Sequence, residues 1–138
     1  MTIRIVQLGS DREVDEGLRI GTVRRPPSGV PKVEYSSKNI YDVWFPNLSP
    51  SDELLKQYFP ITEEKQWRSF QRRFLAEMKA SGPTRDLDML AALSHQTNFS
   101  IGCYCDEESR CHRSILRSLL EKREADLIGT TAQRLTMR

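Results

Sequence analysis

Apolar residues recur along this chain in two periods, and the switches between them mark its elements. Ile3, Ile5, Val6 and Leu8 crowd into a short β-prone run that Gly9-Ser10-Asp11 ends with turn chemistry. Leu18 to Arg24 reads as a second strand, and Ile40 to Phe45, closed by Pro46, as a third. Helical spacing then takes over. Ser49-Pro50-Ser51-Asp52 has the residues of a helix start, with Leu54, Leu55, Tyr58 and Phe59 as the apolar face before Pro60. Thr62 as cap and Glu63 and Glu64 in the first turn open the clearest helix, where Trp67, Phe70, Phe74 and Met78 repeat at three and four. Gly82-Pro83 is expected to stop it. Thr84 is then expected to cap another helix that turns Leu87, Leu90, Ala91 and either Leu93 or Ser94 inward. Phe99 to Cys105 returns to a strand pattern, Asp106-Glu107-Glu108-Ser109 breaks it, and Ile115, Leu116, Leu119 and Leu120 define a last helix.

Early strands, several helices, a late strand and a closing helix predict an α/β fold: a mostly parallel sheet flanked by helices, in a single domain over residues 1–128. The pattern fades after Glu124, and residues 129–138 are expected to form a flexible C-terminal tail. Between Arg25 and Asn39 stand Pro26, Pro27, Gly29 and Pro31 without an apolar period, which predicts a long irregular loop. In parallel sheets, ligands bind where the carboxyl ends of strands feed loops and helix amino termini. That rule places the site at Cys105 to Arg113, with Arg24, Arg25 and the proline-rich loop beside it.

Charge changes this picture little. Lys and Arg total 21 against 19 for Asp and Glu, and a net charge of +2 in 138 residues does not by itself imply nucleic acid. No apolar run approaches the roughly 20 residues of a membrane span. The opening Met-Thr-Ile-Arg-Ile-Val lacks the order of a signal peptide, so a cytoplasmic protein with no membrane partner is expected. All 3 cysteines fall between positions 103 and 111, an odd count unlike a secreted disulfide framework and in keeping with a reducing compartment.

Three chemistries compete for the motif Cys103-Tyr104-Cys105, five residues, Cys111-His112-Arg113-Ser114. The first is an oxyanion or phosphate pocket. Ser109 as cap and the free amides of the first helical turn would face the anion, Arg113 would fork onto it, and Arg24, Arg25 and Ser114 would add donors. Asp106, Glu107 and Glu108 oppose this unless they point away, and Arg113 paired with one of them is the bland alternative. The second is thiol chemistry. A helix amino terminus with Arg110, Arg113 and His112 nearby would favour a thiolate at Cys111, with Cys105 as partner and His112 able to exchange a proton. A cysteine-phosphatase loop is excluded, since Glu107 stands six positions before Arg113 and Cys111 stands six after Cys105. The third is a metal site, where Cys103, Cys105, Cys111 and His112 supply the donors of tetrahedral zinc, although with unusual spacing. No cofactor is required by the first two readings. His95 reads as a surface group, and Asp42 as a carboxylate in need of an arginine.

The Cys111-His112-Arg113 triplet at a helix start, together with Tyr41-Asp42-Val43-Trp44-Phe45-Pro46 and Leu48-Ser49-Pro50-Ser51, resembles the domain of unknown function 488 family, the YeaO-like proteins. The resemblance runs from about Gly21 to Leu120 and implies an α/β domain. Many relatives have a glutamate where this chain has Cys105. The family brings no settled activity. An enzyme acting on a phosphate-bearing small molecule, nucleotide or nucleic acid and a non-catalytic binding module both remain open, as does the oligomeric state.

Overall fold

The computed structural model describes residues 1–128; the expected tail, 129–138, lies outside the described residues. Four strands, β1 (Ile3–Gln7), β2 (Leu18–Gly21), β3 (Val43–Trp44) and β4 (Phe99–Cys103), form one sheet in the order β1-β4-β2-β3. Each neighbouring pair is parallel. Four helices complete the α/β fold: α1 (Asp52–Tyr58), α2 (Glu64–Met78), α3 (Ser81–Leu93) and α4 (His112–Lys122). No helix among the described residues is long and apolar enough to cross a membrane.

Strand β4 lies between β1 and β2, so its two faces and both hydrogen-bonding edges are covered and all five of its residues are buried. Its register sets Ile101 between Ile5 and Ile20, and Ser100 between Arg4 and Arg19. Period-two alternation thereby gives the sheet two unlike faces. Ile3, Ile20, Phe99 and Ile101 meet Phe70, Phe74, Leu87, Leu90, Leu116 and Leu120 of the helices in the main core. The opposite face carries Arg19 and Ser100, and is closed by the chain between β1 and β2 with its buried Glu16.

The strands are shorter than the patterns predict. β2 ends at Gly21, β3 holds only two residues, and β4 ends at Cys103, which leaves Thr22 to Arg24 and Cys105 in the loops at the carboxyl edge. A side chain at Gly21 would run into the Tyr41 ring, so the absence of a Cβ lets the chain before β3 pack onto this edge. Helix starts also differ. Of the residues at the expected start, Ser51 caps α1, accepting from the Leu54 amide at 3.3 Å. α2 begins one residue later than Thr62 suggests, with Glu63 at the cap and Gln66 Oε1 accepting from its amide at 3.0 Å. Gly82 and Pro83 do not end α2: it stops at Met78, and both residues lie in the first turn of α3. A proline there costs no hydrogen bond, because first-turn amides have no partner inside the helix. Thr84 accordingly is no cap; its hydroxyl donates to the Met78 carbonyl at 3.0 Å. On α3 the inward residue is Ser94 rather than Leu93.

Candidate functional site

The carboxyl edge of the sheet holds a cleft of about 600 Å³. Val23, Leu55, Phe59 and the proline-rich loop form its walls, Arg24 and Arg25 its rim, and Cys103, Cys105 and His112 its floor. β2 and β4 point the same way, so their ends bring Thr22 to Arg25 and Cys103 to Cys105 together. Trp44 fixes this edge by donating from Nε1 to the Val23 carbonyl at 2.8 Å.

Cys111 is the extended residue before α4 and makes no side-chain cap, so its sulfur is free to turn inward, where it is fully buried. His112 is the first residue of the helix and is buried against the edge of the Phe74 ring. Its Nε2 lies 2.7 Å from the Thr22 carbonyl. A carbonyl only accepts, so Nε2 carries the hydrogen, and in the neutral ring Nδ1 is left with a lone pair. That lone pair faces the Cys111 sulfur at 3.7 Å. The Thr22 hydroxyl donates to the Gly102 carbonyl at 3.0 Å, tying β2 to β4 directly beneath the imidazole. Cys103 and Cys105, on the same side of the chain by alternation, bring their sulfurs to 3.8 Å.

Cys103, Cys111 and His112 thus place their donor atoms within 4.8 Å of one another, close enough to bind a metal ion, and Cys105 adjoins them. As free thiols the three cysteines share charge unequally. Hydrogen bonds from Cys103 and Cys105 hold Cys111 well below the ordinary thiol range against the effect of burial. The Cys103 thiol, bonded to Cys105 and Cys111 and buried, is pushed far up. A bond with Cys103 lowers Cys105, but its bond with Cys111 and its burial outweigh this and push it up to about 11. The cluster therefore carries its first negative charge at Cys111 and titrates as a unit.

Arg113 is 3% exposed. Its Nη2 donates to the Cys105 carbonyl at 2.7 Å, which pins the chain after β4, and its charge favours the Cys105 thiolate. Its Nε has no hydrogen-bond partner and, among the described residues, no carboxylate pairs with it. The other donors expected around an anion are drawn elsewhere. Ser109 lies in a short 3-10 turn, Glu108–Arg110, and donates to Glu107 rather than capping α4. Ser114 donates back to the Cys111 carbonyl, and Arg25 pairs with Asp52 at 2.8 Å. Arg24 donates from Nε and Nη2 to the carbonyls of Pro50 and Ser49 while still lining the cleft. The acidic loop turns away from the floor: Asp106 accepts from Gln7, and Glu108 pairs with Arg117.

The family model described as the active DUF488-N3 subclade matches residues 3–124. The chain belongs to the DUF488 family. No curated protein and no solved structure matches it. In this DUF488 protein the Cys-His-Arg triplet that marks the motif supplies one buried thiol, one oriented imidazole and one buried cation, all from the start of α4. Sequence reasoning overlooked the Thr22 carbonyl that orients His112, because a backbone acceptor leaves no trace in residue type. It also read Leu55 and Phe59 only as the packed side of α1. Their position before Pro60, at the end of a short helix, was the available sign of a wall.

Proposed function

We propose that this DUF488 protein is an enzyme acting on a small phosphate-bearing molecule of nucleotide size. The apolar part of the substrate rests on Val23, Leu55 and Phe59, its anionic end faces Arg24 and Arg25, and the Cys/His cluster supplies the chemistry. The observation that carries this reading is that Cys103 and His112 belong both to the buried group they form with Cys111 and to the lining of the cleft, where Cys105 stands beside them. A pocket of this volume, apolar with a few convergent polar groups, suits a ligand of that size. The anion contact moves from Ser109, Arg113 and Ser114 to the rim, because Arg24 and Arg25 line the cleft and the first three do not. Cys105, the partly exposed member of the cluster, is the group that substrate reaches first, with Cys111 and His112 behind it.

Isothermal titration with a panel of nucleoside phosphates, sugar phosphates and inorganic phosphate tests the reading. Leu55→Trp, which fills the cleft, is expected to abolish binding of whichever member binds the parent. Cys105→Ser is expected to keep that binding and lose turnover, followed by mass spectrometry of the mixture. Binding without turnover in the parent would make the chain a recognition module. No binding across the panel would sink the proposal.

A further inference from the structure

We propose that Cys103, Cys105, Cys111 and His112 hold a zinc ion, and that the buried Arg113 balances the charge of this centre. The inference deepens the reading above by giving the cleft floor its chemistry, and it rests on that reading only for the use to which the ion is put. Three independent features of the geometry point to it.

The first is spacing. Zinc–sulfur bonds of about 2.3 Å in a tetrahedron set sulfurs about 3.8 Å apart, and a sulfur and an imidazole nitrogen about 3.6 Å apart. The donor atoms of Cys103, Cys111 and His112 lie within 4.8 Å of one another, Cys111 Sγ stands 3.7 Å from His112 Nδ1, and the Cys105 sulfur, outside that trio, stands 3.8 Å from Cys103. The second is the histidine. A metal-ligating imidazole nearly always donates its other N–H to a carbonyl or carboxylate, which fixes the tautomer and aims the lone pair. His112 does this through Nε2 to Thr22, leaving Nδ1 toward the sulfurs.

The third is charge. A buried arginine without a carboxylate is costly unless another negative charge lies beside it. Arg113 is in that condition, with Nε unsatisfied, Nη2 on the Cys105 carbonyl and no carboxylate paired with it among the described residues. A divalent ion with three thiolates and a neutral imidazole carries a net charge of about −1, which one arginine neutralises. Binding releases to solvent the thiol protons that the cluster still holds and transfers no electrons, so the step needs no co-reactant. Packing alone, with the cysteines as small apolar residues, does not account for the oriented imidazole and leaves Arg113 without a carboxylate among the described residues. Cys103, Cys111 and His112 are buried, whereas Cys105 is partly exposed in the cleft, so Cys105 is the donor that a substrate oxygen can displace. An ion held there can polarise a phosphoryl or carbonyl oxygen as a Lewis acid.

The test is metal content and cobalt spectroscopy on the full chain, purified without chelator and after reconstitution. The parent is expected to hold about one zinc per chain, and its cobalt form to show tetrahedral bands with thiolate-to-metal charge transfer. Cys105→Ser is expected to keep the ion with about one third less charge-transfer intensity, since one of three thiolates is lost. This partly exposed position keeps the test independent of the folding of Cys111→Ser, which is expected to lose the ion. Arg113→Met is expected to weaken zinc binding by about 10- to 100-fold. A reconstituted protein without bound ion, cobalt bound without charge transfer, or an unchanged spectrum in Cys105→Ser each overturns the four-donor site. Failure here is separable from failure of the functional reading: a metal-free protein that still binds the nucleotide panel sinks only the zinc site. A zinc-loaded protein that ignores every ligand sinks only the substrate class.

Discussion

Arg19 and Arg113 are both buried, at 0% and 3% exposure, yet their surroundings are opposite. Arg19 lies in β2 on the sheet face away from the helices, and its guanidinium is fully engaged. It meets both oxygens of Glu16 at 2.7 and 3.0 Å and donates to the Ser10 and Asn39 carbonyls. Glu16 in turn accepts from Ser100 of the central strand. Burial raises the Glu16 carboxyl, but the bonds from Arg19 and Ser100 outweigh it and hold the group below its usual range. Among the described residues Arg113 has one carbonyl and no carboxylate. A buried cation whose partners are complete serves the scaffold; one whose partners are missing marks where an anionic group belongs.

The sharpest way to break this contrast is Glu16→Ala, which strands the Arg19 charge inside the protein. It is expected to destabilise the fold by about 3–5 kcal/mol, read from urea denaturation. On the Arg113 side the large effect comes from adding charge. Zinc at about 100-fold above its dissociation constant is expected to stabilise the protein by about 2.7 kcal/mol, seen as a rise in Tm that a chelator reverses. Glu16→Ala should not remove that rise, because the two sites lie on different parts of the sheet.

A smaller effect sharpens the scaffold half of the comparison through Asp42, which accepts from the Arg19 amide and from Arg12 at 2.8 Å. Burial raises its carboxyl, but Arg12, the Arg19 amide and Ser36 hold it down at about 2. A depressed pKa means stability that is present above the ordinary value of 3.8 and is lost as pH falls through about 2. Allowing for solvent screening, the loss is expected to be about 1 kcal/mol, and Asp42→Asn should flatten it in stability measured across that window. The smallest change is expected for Arg113→Met in metal-free protein. Removing an unpaired buried cation should leave stability within about 1 kcal/mol of the parent or raise it, while Arg19→Met should be strongly destabilising. Equal losses for the two would erase the distinction.

The legible parts of the fold were those where one face of a regular element is buried. Trp67, Phe70, Phe74 and Met78 repeat at helical spacing and all four are core residues of α2. Phe99 to Cys103 reads as an apolar run because β4 is enclosed by neighbours. Ends were harder, since Pro83 breaks a helix interior but suits a first turn, and residue type alone does not say which turn it occupies. At the site, the cluster of cysteines with His112 and Arg113 was visible as a motif. The direction each side chain takes was not. Ser109 looked like a cap from its composition and place, but the 3-10 turn carries it toward Glu107. Arg19 gave a sign that went unused: a lone arginine between Leu18 and Ile20, three residues after Glu16, in a strand otherwise apolar.

By itself the sequence determined the α/β class, the inventory of reactive groups and the position of the motif between a strand and a helix. Those properties follow from local periodicity and residue chemistry, which neighbours along the chain report. Only the tertiary structure decided which groups meet. The parallel register of β2 and β4 brings Thr22 under His112, ninety residues away, and so chooses its tautomer. Among the described residues, the same folding encloses Arg113 without a carboxylate while giving Arg19 a full set of partners. Partnership across such distances depends on how the sheet is ordered, and an identical arginine reads the same in a sequence whether its charge is answered or not.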